Sequence, residues 1–399
     1  MNTMTRRQFL VASGVTGAAA VAAGTAGVTW QQLHDRAVLD GLPVGTSTLV
    51  VLTLYGGNDG LNTVIPYADP AYHSARPDLA YTADEVIRLD DAVGLNPAMT
   101  GLAKLWAGKQ LAIVRGVDYP DPDFSHFRSM DIWQTASPDD PIGTGWIGRW
   151  LDATGDDPIR AVNIGSVLPP LAVGARCTAA ALSAGRYRPL PTELATAVTG
   201  LGRTQPGDTE TDGMVTAAYR AERTVAATFG PVQRTATGSD GSSLKDQLDL
   251  VARCVKAGVP TRVYSVDLGG FDTHADEKAT QQALLGQLDS AVSGFLTEMA
   301  ADPRGRSVVL MAYSEFGRRV SANGSQGTDH GSAGPVFVAG VPVRGGYYGE
   351  EPSLTDLDDG NLKSSVDFRV VYGELLHRVL GADPTQVLGS ARPELGFIA

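Results

Sequence analysis

Residues 48–55, Thr-Leu-Val-Val-Leu-Thr-Leu-Tyr, form an unbroken apolar and β-branched run closed by Gly56-Gly57. A run with no polar alternation suits a strand buried on both faces, as at the centre of a parallel sheet. Shorter runs of the same kind occur at 111–117, 161–164, 262–268, 307–313 and 335–339, and helical patterns separate several of them. The clearest helix carries Leu284, Leu288, Val292, Phe295 and Met299 on one stripe between Asp276 and Ala300. This alternation predicts an α/β fold: a mostly parallel central sheet with helices on both faces. The runs at 48–55, 262–268 and 307–313 each end in a glycine-rich or acidic segment, so they are expected side by side with their carboxyl ends on one edge.

The N-terminus carries a different message. Arg6-Arg7 precede Phe9-Leu10, and residues 11–28 are only Ala, Gly, Val, Ser and Thr. This is the form of a twin-arginine export signal, a charged region followed by a weak apolar one. Gly14, Gly17, Gly24 and Gly27 dilute the segment below the ~20 strongly apolar residues of a membrane span, so no stable transmembrane anchor is expected. The expectation is a signal over 1–26 and a single domain over 27–399, exported to the periplasm, cell wall or exterior, with the twin-arginine translocase as a transient partner. Residues 200–243, rich in Gly, Thr, Asp and Ser around a helical pattern at 214–228, read as an insertion.

Charge narrows the partners. With 32 Lys and Arg against 44 Asp and Glu, and no basic run beyond Arg6-Arg7, the sequence argues against nucleic acid. Its two cysteines, Cys177 and Cys254, stand outside any C-x-x-C or Cys/His cluster, which argues against a thiolate zinc site and leaves a disulfide open.

Chemistry-bearing residues gather at the ends of the apolar runs. Gly56-Gly57-Asn58-Asp59-Gly60 follows the first run, and Asp59 is either a cation ligand or part of a glycine turn. Gly269-Gly270-Phe271-Asp272-Thr273-His274 repeats the arrangement, Ser314-Glu315-Phe316-Gly317-Arg318 supplies a carboxylate and a guanidinium, and Gly327-Thr328-Asp329-His330-Gly331 an adjacent Asp and His. This oxygen and imidazole mix suits Zn²⁺, Mn²⁺ or Ca²⁺. Ser125 precedes the helical pattern Phe127, Met130, Ile132 and Trp133, either as a simple N-cap or as a group beside an anion-receiving helix terminus. His126 reads as a general base or as a half-buried histidine. His34, His73 and His377 lack a setting that singles them out.

The stretches 55–62, 125–133, 269–274, 314–318, 328–331 and 367–369 resemble, in order, the exported bacterial domain-of-unknown-function family 1501 of the alkaline phosphatase and sulfatase-like superfamily. The resemblance implies an alkaline phosphatase-like fold and a site for one or two divalent cations at the carboxyl edge of the sheet. In it Asp59 looks like the early metal Asp and Ser125 like the nucleophile. Asp272 and His274 resemble the pair after the middle strand, with Glu315 where relatives usually carry Asp-His. His330 resembles the last metal histidine, or Asp329-His330 is itself a displaced Asp-His pair.

The implied chemistry is attack by Ser125 on a phosphate or sulfate ester, small or polymeric, with Arg318 binding a non-bridging oxygen. The C-x-P-x-R sequence of formylglycine sulfatases is absent, since Cys177 and Cys254 are followed by Thr178-Ala179 and Val255-Lys256. The alternative is a secreted, non-catalytic binding or assembly protein on the same fold.

Overall fold

The structure, a computed structural model, describes residues 27–28, 30–155, 157–165, 168–182 and 243–399. The expected export signal over 1–26, the expected helix at 214–228 and all of the 200–243 segment except Ser243 lie outside the described residues.

Eight of the described strands build the body of one sheet: β1 (Thr48–Leu54), β2 (Leu111–Asp118), β3 (Ala161–Ile164), β4 (Ala180–Leu182), β5 (Val263–Leu268), β6 (Val308–Ser314), β7 (Gly334–Ala339) and β8 (Gly346–Tyr348). Their spatial order is β4-β3-β5-β1-β6-β7-β2-β8, with the short segments Gly27–Val28 beside β4 and Val366–Asp367 beside β2. β5, β1 and β6 are adjacent and parallel, in register from Leu49 against Val263 and from Thr48 against Val308. Their carboxyl ends therefore share one edge, as their sequence endings require. Only β7 runs antiparallel to its neighbours, so the sheet is mixed but mostly parallel.

The two-residue period of a strand explains why these runs are apolar throughout. Val50, Leu52 and Leu54 of β1, with Leu310 and Ala312 of β6, enter one core with Leu248 of helix α2 (Leu244–Ala257) and Leu285 and Leu288 of α3 (Glu277–Ala301). Leu49, Val51, Met311 and Tyr313 enter the other, beneath α1 (His126–Thr135), with Trp133, Trp146 and Tyr372. Each of the Val, Leu and Met side chains among these contributes roughly 1.5–3 kcal/mol by leaving water. In α3 the buried stripe runs through Leu285 rather than Leu284, which is partly buried at its margin. Cys177 and Cys254 are both buried but belong to the cores on opposite faces of the sheet, and no disulfide joins them.

Candidate metal centre

The carboxyl edge of β5, β1 and β6 brings their following loops together. Gly56 has φ +119, and a Cβ there would lie 2.4 Å from the Asp272 backbone nitrogen, so the approach of the loop after β1 to the loop after β5 requires glycine. Phe271 then donates its N–H to Tyr55 O, which fixes where Asp272 emerges.

Asp272 Oδ1 is the hub of the site. His274 Nε2 lies 2.9 Å from it, His330 Nε2 3.1 Å, His126 Nε2 3.4 Å and Arg318 Nη2 3.0 Å. The two ring nitrogens His274 Nε2 and His330 Nε2 are 3.0 Å apart. Ligand atoms of His126, Asp272 and His330 all lie within 4.8 Å of one another. Burial alone would raise the Asp272 pKa. Hydrogen bonds from His330 and Arg318, with the charges of His126 and Arg318, more than offset it and hold the carboxyl down at about 2.

The opposite face of each ring meets an oxygen. His126 Nδ1 is 2.8 Å from Glu315 Oε1, His330 Nδ1 is 2.8 Å from the Phe124 carbonyl, and His274 Nδ1 is 3.6 Å from Asp329 Oδ1. Buried Phe316 packs against the His126 and His330 rings with centroids at 4.9 and 4.6 Å. His126 Nε2 is buried and has no hydrogen-bond partner. A lone pair orphaned in this way, and two imidazole nitrogens in mutual contact, both fit a cation held among His126, Asp272, His274 and His330.

Ser125 stands at the rim, exposed, between Phe124 and His126, which both face the site. It occupies the N-cap position of α1 with φ −84° and ψ 123°, yet its side chain makes no capping hydrogen bond. Its carbonyl accepts from Ser129 N–H at 2.9 Å, so its backbone caps the helix while its hydroxyl is not engaged in capping.

The remaining sequence candidates sit elsewhere in the arrangement. Asp59 is fully buried, accepts from Leu61 N–H and pairs with equally buried Arg76 at 2.5 Å. It faces Arg76 and Glu277 rather than the imidazoles, because Arg76, also bonded to the carbonyls of Val320 and Arg319, supplies its counter-charge from within the fold. Burial, then the Asp59 charge, pushes Glu277 up to about 9, while Thr328 Oγ1 donates to it at 2.6 Å.

Arg318 is not open to a substrate oxygen. Its guanidinium is buried and donates to the carbonyls of Gly57, Thr328, Gly56 and Phe271 and to Asp272, clamping three loops of the site. Glu315, 2% exposed, touches His126 from behind instead of reaching the centre, and exposed Asp329 stands behind His274. Sequence reasoning missed His126 as a donor to the centre and missed Arg76, Glu277 and Phe316 altogether. The available signal was that His126 adjoins Ser125 within a segment that the family resemblance already covered. Nothing local marked Arg76.

Residues 208–392 match the family described as protein of unknown function (DUF1501). No curated relative matches the chain. Among solved structures it is similar to Ps i-CgsB at 9% identity and a TM-score of 0.42, over 87% of this chain and 75% of that one. It is also similar to a protein in the alkaline phosphatase superfamily from Vibrio parahaemolyticus, at 11% identity and a TM-score of 0.36 over 81% and 71% of the two chains. Alkaline phosphatase from the Antarctic bacterium TAB5 is similar at 10% identity and a TM-score of 0.33, over 75% and 93%.

Proposed function

We propose that this chain, whose residues 208–392 match the DUF1501 family model, is an exported metal-dependent hydrolase of phosphate or sulfate esters with Ser125 as its nucleophile. The observation that carries the reading is the convergence of three imidazole Nε2 atoms on one oxygen of Asp272, beside a serine whose hydroxyl is not spent on capping its helix.

His126, Asp272, His274 and His330 would hold the cation. When bound, a divalent cation there supplies positive charge for the oxygens of an ester and acidifies a neighbouring hydroxyl. Ser125 presents its Oγ from an exposed position, and the start of α1, without a side-chain cap, offers backbone N–H groups and the positive end of the helix dipole to an anionic ester. Asp272, ionised across the neutral range, supplies the negative charge of the ligand set. Export rests on Arg6-Arg7 and the residues that follow, and a position outside the cytoplasm follows from it. Among the described residues no helix is long and apolar enough to cross a membrane.

A second reading, a non-catalytic binding or assembly protein holding the same cation, is favoured by Arg318. The guanidinium expected to receive an ester oxygen is committed to four carbonyls and Asp272. Turnover of p-nitrophenyl phosphate, bis-p-nitrophenyl phosphate and p-nitrophenyl sulfate by metal-loaded protein separates the two. In the hydrolase reading at least one is cleaved, and Ser125→Ala keeps the cation and the melting temperature while abolishing that activity. Fully loaded protein that cleaves none of them, nor a wider panel of phosphate and sulfate esters, leaves the binding role.

A further inference from the structure

We propose that Glu315 is the residue that makes His126 a metal ligand, by keeping the ring proton on Nδ1 and so directing the Nε2 lone pair toward Asp272, His274 and His330. This rests on the reading that a cation sits among those four side chains, and it names the group outside them that governs how tightly it is held.

A neutral imidazole carries one ring proton, and the hydrogen bond made by one nitrogen decides which nitrogen keeps a lone pair. An ionised carboxylate only accepts. Glu315 Oε1 lies 2.8 Å from His126 Nδ1, so in the neutral ring, the form that binds a cation, Nδ1 is the donor and Nε2 carries the lone pair. The orphaned state of His126 Nε2, buried without a partner beside the Asp272 hub, is what this tautomer produces.

Glu315 is itself held in place. Its Oε1 also accepts from Gly56 N–H at 2.9 Å and its Oε2 from Ser314 Oγ at 3.0 Å, with the side chain only 2% exposed. It cannot swing away without leaving the Gly56 N–H unpaired in a buried place. The other two rings are oriented on the same plan but less firmly in one case. His330 Nδ1 meets the Phe124 carbonyl at 2.8 Å, whereas His274 Nδ1 is 3.6 Å from Asp329, whose side chain is 61% exposed. Among the two carboxylates behind the rings, Glu315 is thus the closer and the one shielded from water, where its charge acts on the imidazole most strongly. Glu315 is a positioning residue, since it acts through His126.

The test uses the full chain, stripped of metal and titrated separately with Zn²⁺ and Mn²⁺ against a competing chelator. Glu315→Gln is expected to weaken binding of the metal that wild type holds by about 10–100-fold, with the metal-free melting temperature close to that of wild type. Asp329→Asn is expected to lose less. Nitrogen-15 chemical shifts of the histidine rings in metal-free wild type, which need no variant to fold, should show His126 protonated at Nδ1. An Nε2-protonated His126, or a folded Glu315→Gln that binds metal as tightly as wild type, overturns the proposal. Wild type that binds neither metal overturns the cation reading beneath it instead, which keeps the two failures distinct.

Discussion

His274 Nε2 lies 3.0 Å from His330 Nε2, and both face the same oxygen of Asp272. Two bare imidazole lone pairs at that separation repel, so the pair needs something positive between them, a proton or a cation. A cation satisfies both nitrogens, the carboxylate and the orphaned His126 Nε2 together.

Purified protein should therefore contain about one divalent cation per chain, because one Asp272 oxygen serves as the common centre. Removing it with a chelator should lower the melting temperature, since a ligand bound only by the folded state adds about 2.7 kcal/mol at a hundredfold excess over its dissociation constant. His330→Ala should lose both the cation and the chelator effect. Elemental analysis and thermal melts measure the two, and a chelator-insensitive melt in a metal-free wild type sinks the expectation.

Asp59→Asn should behave in the opposite way. It leaves Arg76 buried without its partner, which costs about 3 kcal/mol, the low end for a broken buried pair, because Glu277 can release its proton and take over part of the charge. Metal affinity should stay that of wild type. Denaturant unfolding and metal titration of the same variant decide this, and lost metal with unchanged stability would restore Asp59 as a ligand.

Glu277 gives a pH dependence of definite sign. Its pKa rises from about 4.3 in an unfolded chain to about 9 in the fold, so between these values the folded state binds the extra proton. Its contribution to stability is complete below the lower value and is lost as pH rises toward 9. Asp118, raised to about 7 by burial, acts in the same direction but is spent by neutral pH. Between pH 7 and 9 unfolding free energy should accordingly fall, by at most about 1.4 kcal/mol per pH unit for one proton. Glu277→Gln should flatten that slope, and an identical slope in the variant would show that another group is responsible.

Replacing Arg6 and Arg7 together by Lys should stop export, as the paired arginines are the recognised element of the twin-arginine signal. Cell fractionation followed by immunoblotting reads the result. Undiminished export of the double variant would point to the general secretory route.

Sequence patterning alone was sufficient for six of the eight strands described above, but not for Ala180–Leu182, Gly346–Tyr348 or the antiparallel direction of β7. An apolar run such as Thr48–Leu54 is a local property, and burial of all its residues on both faces follows from the run itself. The segments at the strand ends were equally legible, since glycines beside Asp and His mark tight loops wherever they occur. The roles within them were not. Asp59 and Asp272 each follow a strand and a Gly-Gly pair, and the one adjacent difference, His274 two residues after Asp272, does not by itself assign either role. What separates them is Arg76, folded against Asp59, and three histidines folded against Asp272. Likewise His126 meets Glu315 across 189 residues of chain, and Arg318 spends its guanidinium on carbonyls from loops as far away as Gly56. Periodicity records which residues leave water, an energy summed over area and insensitive to partner. Hydrogen bonds and charges depend on which two atoms come within ~3 Å, and only the packed tertiary structure decides that.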